Sequence, residues 1–167
     1  VFWMLLQHMG RENALAGLQT FLARYHQDRD HPVLQDFLAV MRPFAPDAEA
    51  YDAFTRQWFL EVVVPEYALT DAAKAAAGDG WEVRVTVTNE GTGTMPVEVC
   101  AARGERFPDE DAEVEAPGYR DARVTVTLGP GESQAVAIPC DFEPERVLVD
   151  PDALVLQLRR EQARTEL

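Results

Sequence analysis

The sequence is poor in basic residues, and lysine occurs only once, at Lys74. Its 15 basic residues stand against 29 acidic ones, which gives a formal net charge of -14. Residues 65–167 hold 10 basic and 21 acidic residues, whereas residues 1–64 hold 5 and 8. Binding to phosphates requires clustered Lys and Arg that displace counterions, so the composition argues against nucleic acid as a partner. The same charge repels anionic lipid headgroups.

The sequence also lacks a long apolar run. No stretch reaches the roughly 20 apolar residues that a membrane-spanning helix requires, and no charged segment followed by an apolar one marks a signal peptide. We therefore predict no membrane span in this chain. With 167 residues, 47% of them hydrophobic, the chain can bury a core in one domain or in two small ones.

Cysteine is scarce, and the two residues present, Cys100 and Cys140, do not fit one disulfide. Strand alternation puts Cys100 on the same face as Glu98, whereas Cys140 continues an apolar face with Ile138 and Phe142. Bridged cysteines need Cβ atoms within about 4.5 Å of each other that point together. We expect free thiols, and the pattern leaves the redox compartment open.

Histidine is scarce as well, and its three residues form no metal-binding pattern. His8, His26 and His31 are irregularly spaced, and no His-Glu-x-x-His pair places two imidazoles on one helix face. We predict that His8 lies in a core or an interface and that His26 and His31 flank a surface loop. No metal site is predicted within this chain.

Two further segments contain residue types that occur in calcium-binding or nucleophilic sites. The acidic run at residues 109–115 offers carboxylates to Ca²⁺ through Asp109, Asp111, Glu113 and Glu115, but it lacks the glycine and spacing of an EF-hand loop. We interpret it as a solvated acidic loop. Ser133 lies in Gly-Glu-Ser-Gln, which is not the Gly-x-Ser-x-Gly elbow of a nucleophile. No catalytic, cofactor-binding or metal-ligating residue is assigned.

Residues 1–64 are predicted to form about four short helices. The first is apolar on nearly every side, and we expect it to be a helix cut in its middle, so that the helical region is truncated at its N-terminus. Gly10 ends it, Pro32 opens the third helix and Asp47 caps the fourth. The predicted core residues of the second, third and fourth helices follow helical spacing: Leu15, Leu18, Leu22 and Tyr25, widened by Ala14 and Phe21; Val33, Leu34, Phe37, Leu38 and Met41; Tyr51, Phe54 and Trp58.

Residues 65–158 are predicted to form about seven antiparallel strands. Residues 81–88 alternate apolar and polar side chains, as a half-buried strand does. Glycine-rich turns at residues 89–93 and 129–131 predict two hairpins, which join residues 81–88 to 95–103 and residues 123–128 to 134–138. The small residues 71–80 are interpreted as a loop, and the last two strands are placed at residues 146–149 and 154–158.

The sequence therefore predicts an α+β protein with a joint at residues 57–69, where the apolar period changes from helical to extended. Residues 1–64 would form a bundle of about four helices. Residues 65–158 would form an antiparallel immunoglobulin-like β-sandwich of about seven strands, because turn signals recur at near-regular intervals. Residues 159–167 would be a charged tail or a terminal helical turn.

Six segments carry a resemblance to a known family. They are Val-Phe-Trp-Met-Leu-Leu-Gln-His-Met-Gly at residues 1–10, the helix at 15–25, the helix with Asp-Phe-Leu at 36–38, Phe-Thr-Arg-Gln-Trp at 54–58, Val-Pro-Glu-Tyr-Ala-Leu at 64–69 and Phe-Glu-Pro-Glu-Arg-Val-Leu-Val-Asp-Pro-Asp at 142–152. With the order of parts, they resemble the C-terminal part of aminopeptidase N-like zinc metallopeptidases, the gluzincin group that includes membrane alanyl aminopeptidases. The resemblance covers helices and a joint rather than a catalytic signature.

The resemblance implies a parent protein that is a zinc aminopeptidase or a related pseudo-enzyme acting on or binding peptides. Its zinc would be held by a His-Glu-x-x-His helix and a downstream Glu, and a Tyr would stabilise the oxyanion; none of these positions occurs here. This chain would wall the active-site cleft and brace the catalytic domain, its partner in the same polypeptide. The ending at a sandwich further resembles bacterial peptidase-like domains attached to transporter-type membrane proteins, which implies a membrane-attached parent.

Two other interpretations stay open. The chain could be an immunoglobulin-like protein-binding module of a bacterial membrane-associated protein without enzymatic activity. It could also be a Ca²⁺-dependent adhesion domain that uses residues 109–115.

Overall fold

The protein is α+β, as predicted. The computed structural model describes residues 1–27, 31–107 and 116–167. Over these residues it contains four α-helices, which all precede two antiparallel sheets of three and four strands. The chain divides into two compact units, Val1–Val63 and Val64–Leu167.

The first unit is helical. Asp47 caps α4 as predicted, because its Oδ1 accepts the backbone N–H groups of Glu49 at 2.9 Å and Ala50 at 3.0 Å. In the described part of the chain, no helix is both long enough and apolar enough to cross a membrane. The helices are α1 (Phe2–Met9), α2 (Arg11–Tyr25), α3 (Leu34–Met41) and α4 (Ala48–Thr55), with a 3-10 turn at Arg42–Phe44 and a π-helical turn at Arg56–Leu60.

The helical unit has an aromatic and methionine-rich core. The hydroxyl of buried Tyr51 donates a hydrogen bond to the Leu38 carbonyl at 2.9 Å, which ties α4 to α3. Burial raises the pKa of Tyr51 to about 12, and the charge of Asp52 acts in the same direction. The buried apolar residues include Met4, Leu5, Met9, Phe37, Val40, Met41, Tyr51, Phe54 and Trp58.

The predicted core face of α2 is only partly right. Ala14 is buried and Leu18, Phe21 and Tyr25 are partly buried, as predicted, but Leu15 and Leu22 are 42% and 64% exposed and Gly17 is buried instead. A Cβ on Gly17 would lie 2.7 Å from the sulfur of Met41, so the helix backbone itself packs against that thioether. Close approach at a glycine turns this side of α2 inward, and Leu15 and Leu22 therefore point outward.

The second unit holds both sheets. The first has the order β1 (Tyr67–Ala77), β2 (Gly80–Asn89) and β5 (Ser133–Cys140), and the second has the order β4 (Arg120–Leu128), β3 (Met95–Arg103), β6 (Arg146–Val149) and β7 (Arg164–Glu166). Every pairing is antiparallel. Alternate strand residues are buried, as the period of two predicts; they include Val83, Val85, Val87, Val97, Val99, Val126, Leu128, Val136, Ile138, Val147 and Val149.

Both predicted hairpins are wrong, because each turn carries the chain from one sheet to the other. β2 pairs with β1 and β5, and β3 pairs with β4 and β6. Turn residues specify where the backbone reverses, but they do not specify with which strand the segment after the turn pairs. The partner is decided by long-range contacts, which turn residues do not encode.

The predicted loop at residues 71–80 is largely strand. β1 continues to Ala77, and residues 73–77 pair with residues 80–84 of β2. The register shifts between Thr70 and Ala73, where Asp71 has a φ of 54°. A bulge of this kind lets a strand continue past an irregular residue. Pairing with β2 overrides the low strand preference of this alanine-rich stretch.

The predicted last strand, residues 154–158, lies outside the seven strands. Several of its backbone N–H groups donate to side-chain carboxylates rather than to a neighbouring strand. The tail at residues 159–167 forms a 3-10 turn at Arg160–Ala163, which fits the predicted helical turn. β7 follows it and was not predicted.

The side chain of Asn89 organises the point where the chain enters the second unit. Its Oδ1 accepts the N–H groups of Glu66 at 3.3 Å and Gly91 at 3.1 Å, and its Nδ2 donates to the carbonyls of Gly93 and Leu128. Asn89 is fully buried. All four hydrogen-bonding positions of the amide are therefore used.

Gly91 should tolerate no side chain. A Cβ there would lie 2.3 Å from the Val64 carbonyl oxygen and 2.5 Å from the Glu66 nitrogen, both backbone atoms. We expect Gly91→Ala to lower the free energy of unfolding by about 2–3 kcal/mol, measured by urea denaturation. Gly118→Ala is the matched control, since nothing lies within 4 Å of its Cβ position. Equal effects of the two substitutions would contradict the expected clash with the backbone of Val64 and Glu66.

Candidate functional site

The three histidines lie apart in the helical unit. His8 of α1 stacks on Phe54 of α4, with ring centroids 4.6 Å apart and planes 17° from parallel. Burial lowers the pKa of His8, although the Ala50 backbone and the charge of Asp47 act in the opposite direction. His26 and His31 are exposed. Among the described residues, no group of three His, Cys, Asp or Glu side chains is arranged to hold a metal ion.

The other residues weighed for chemistry have ordinary surroundings or lie outside the described residues. Residues 109–115, the calcium candidate, belong to the latter group. Ser133 is exposed at the start of β5, and its hydroxyl is 2.8 Å from that of Thr88 in a hydrogen bond. This bond joins two neighbouring strands, which is a structural role.

Both cysteines are free and buried. Burial raises the pKa of the Cys100 thiol to about 12, with the charge of Asp121 acting in the same direction. Burial likewise raises the pKa of Cys140. The thiolate is the reactive form of cysteine. Both thiols are therefore protonated at neutral pH and are poor nucleophiles.

An ionic cluster that the sequence did not reveal surrounds Arg123 of β4. Its guanidinium contacts Glu98 at 2.7 Å, Asp121 at 2.7 Å and Asp152 at 2.6 Å. Arg106 also pairs with Asp152. Burial alone would raise the pKa of Asp152 and lower that of Arg123. The guanidinium groups of Arg123 and Arg106 outweigh burial and lower the pKa of Asp152, and the three carboxylates outweigh it and raise the pKa of Arg123. The opposite charges satisfy one another, so the cluster fastens loops to the sheet.

Two buried carboxylates in the second unit bind backbone amides. Glu66 accepts the N–H groups of Leu158 at 2.8 Å and Arg159 at 3.0 Å. Asp150 accepts those of Leu154 at 2.8 Å and Val155 at 2.9 Å. Carboxylates with this many amide donors are compensated for the loss of water. Both carboxylates have structural roles. The donors to Glu66 lie 92 and 93 residues away, so local sequence gave no signal for them, whereas the donors to Asp150 lie four and five residues ahead.

A shallow cavity of about 560 Å³ lies between the β1–β2 turn and the end of β5. Asp79, Glu82 and Asp141 line it together with Trp81. Arg84 pairs with Glu82 at 2.7 Å and Arg120 pairs with Asp141 at 2.6 Å, so two of the three carboxylates are neutralised. The cavity thus combines one aromatic ring with a largely compensated acidic rim.

The helical unit exposes large apolar side chains. On α1, Phe2 is 64% and Trp3 is 54% exposed, and α1 carries no Asp, Glu, Lys or Arg. The ring of Phe2 contacts those of Phe37 and Phe59 edge to face, with centroids 5.6 and 5.7 Å away. Exposed apolar clusters are typical of surfaces at which proteins contact other molecules.

The comparisons with known proteins identify no family for this chain. No family model and no curated protein matches the sequence. Among solved structures, it is similar to a β-glucosidase from Streptomyces venezuelae in complex with D-glucose, at 13% identity and a TM-score of 0.37 over 62% of this chain and 15% of that one. It is also similar to a β-D-glucoside glucohydrolase from Trichoderma reesei, at 12% identity and a TM-score of 0.38 over 62% and 18% of the two chains. The chain thus spans less than a fifth of either protein.

Acid should destabilise the protein through His8. Because burial lowers the pKa of folded His8 below the 6.5 of a solvent-exposed imidazole, the unfolded state binds more protons, and stability is lost as pH falls below about 6.5. We expect His8→Phe, which keeps a ring on Phe54, to remove part of the loss in unfolding free energy between pH 7 and pH 5. Urea denaturation at each pH measures the unfolding free energy of both proteins.

His26→Gln is the matched control, because it removes an exposed imidazole at the end of α2. The interpretation of His8 is wrong if His8→Phe retains the whole pH dependence of the parent chain, or if His26→Gln reduces it equally.

Proposed function

We propose that this chain is the non-catalytic C-terminal region of a zinc aminopeptidase-like protein. The helical unit lines part of the active-site cleft, and the sheet unit braces the catalytic domain. The observation that carries the proposal is the exposed apolar surface of the helical unit at Phe2, Trp3, Leu15 and Leu22. Side chains of this size are favourable where a neighbouring domain removes them from water.

In this proposal the zinc belongs to the catalytic domain rather than to this chain. A His-Glu-x-x-His helix and a downstream Glu of that domain hold the metal, which activates a water molecule against a peptide substrate. The parent is attached to a bacterial membrane through its other parts. The residues of this chain exclude water and hold the walls of the cleft in place.

We further infer that the two sheets of the second unit pack face to face as an immunoglobulin-like sandwich. Buried alternate residues on both sheets support this arrangement, as do contacts of β4 with β5 and of β1 with β6 and β7. Two inner faces that bury each other in this way form a rigid core about 10 Å thick. A rigid unit of this kind can support a neighbouring catalytic domain.

One observation favours a second function, an immunoglobulin-like protein-binding module without enzymatic activity. Phe107 and Leu156 are each 48% exposed in the second unit, and Leu158 is 73% exposed. These side chains lie outside the helical unit that the first proposal uses. A partner protein bound there would involve neither zinc nor a peptidase domain.

Trp3→Ser distinguishes the two functions. About half of the Trp3 side chain is already buried in the isolated chain, so we expect the substitution to lower its unfolding free energy by about 1 kcal/mol. In the complete protein, where the catalytic domain covers the ring, the loss should reach about 3 kcal/mol. Thermal and urea denaturation of both forms measure the difference.

Leu158→Ser is the matched control, because it should have the same effect in both forms. Equal losses for Trp3→Ser in the isolated chain and the complete protein would contradict the proposal. The isolated chain should also show no turnover of aminoacyl amides with zinc present. Finally, the complete gene should encode His-Glu-x-x-His on the N-terminal side, and its absence would leave a pseudo-enzyme or the binding module.

A further inference from the structure

The last part of the second unit is held differently from the rest of it. We call residues 154–167 the strap. It follows the turn at residues 150–153, passes through the 3-10 turn Arg160–Ala163 and ends in β7, whose three residues pair with β6. Its first half makes no strand pairing. Side-chain carboxylates hold that half through the bonds of Glu66 and Asp150 described above, and Arg160 donates back to Asp150 at 2.9 Å.

The strap buries few apolar groups. Val155 and Ala163 are buried, but Leu156 and Leu158 are largely exposed. Gln157 is 7% exposed, and neither polar atom of its amide has a hydrogen-bond partner among the described residues. A buried amide without partners opposes docking of the segment that carries it. Docking therefore depends on the carboxylate anchors more than on the apolar contacts.

The turn before the strap has an unfavourable backbone. Asp150 has a φ of 57° and Ala153 a φ of 53°, and the Ala153 N–H donates to the Asp150 carbonyl at 3.1 Å. The left-handed region is disfavoured for residues with a Cβ, and for alanine in particular no side-chain hydrogen bond compensates. Asp71, in the bulge of β1, is the other residue of this kind among the described residues. Two such residues within four positions make the turn a strained hinge.

We propose that the strap detaches as a unit by rotation about residues 150–153, while the rest of the second unit stays folded, and that copies of the chain exchange their straps. Opening frees the edge of β6, where Arg146, Val147 and Leu148 otherwise pair with Glu166, Thr165 and Arg164. A bare edge accepts an added strand. The strap of a second copy fits this edge, because its β7 residues can pair with β6 in the same register and its backbone amides can bind the same carboxylates. Strained hinges favour exchange of this kind, because the hinge relaxes in the swapped dimer.

Hydrogen exchange of the full chain tests the opening. We expect the amides of Leu154, Val155, Leu158 and Arg159 to exchange together, with protection at least about tenfold below that of β2 and β3. Glu66→Gln, which weakens the anchor, should speed exchange of these amides about tenfold. Ala153→Gly, which relieves the left-handed residue, should slow it about threefold.

Asp71→Gly is the matched control, since it relieves a left-handed residue outside the hinge and should leave exchange of the strap unchanged. Light scattering at millimolar protein concentration tests the exchange of straps, and we expect dimers whose fraction falls in Ala153→Gly. The proposal is overturned if strap amides are protected as strongly as those of β2, or if Asp71→Gly slows them as much as Ala153→Gly. It is also overturned if the chain stays monomeric or if Ala153→Gly leaves the dimer fraction unchanged.

Discussion

The second unit depends on the buried side chain of Asn89 more than on any other polar group. Its amide joins the entry segment at Glu66, the loop at residues 91–93 and the end of β4 at Leu128. The backbone of Asn89 also bonds to the loop at residues 129–132 on both its N–H and C=O sides. A fully satisfied amide in a low-dielectric interior fixes geometry strongly. The two loops that cross between the sheets are therefore set by one residue.

Local physical rules predicted most of the helices and strands but not the partners of the strands. The Asp47 cap, the buried stripe on α4 and the alternation of β2 follow from neighbours within a few positions, and the structure agrees with each. Strand pairing, the outward face of α2 and the role of residues 154–158 depend on contacts across the chain. Gly17 shows the reason most clearly, since its approach to Met41, 24 residues further along the chain, helps to decide which face of α2 is inside.

The polar residues considered for a functional site also fall into those that local sequence identified and those that it missed. Sequence patterns identified the histidines, the serine and the cysteines, whose surroundings give them structural roles. They missed the Arg123 cluster and the carboxylate of Glu66, because partners far along the chain leave no local signature. Asp150 binds amides only four and five residues ahead, in a turn that the sequence did predict, but its side-chain contacts were not foreseen. Among the described residues, His8, Ser133 and the two cysteines are thus occupied within the fold, whereas His26 and His31 are exposed, as are several large apolar side chains.

The packing of α2 through Gly17 has one more consequence. Ala14 and Gly17 supply the closest contact of α2 with its own unit, and the ring of Phe21 packs edge to face on Phe37 beside them. Leu15 and Leu22 lie away from this contact and are exposed. The outer surface of α2 can therefore change in sequence at Leu15 and Leu22 without loss of the packing that holds the helix in its unit.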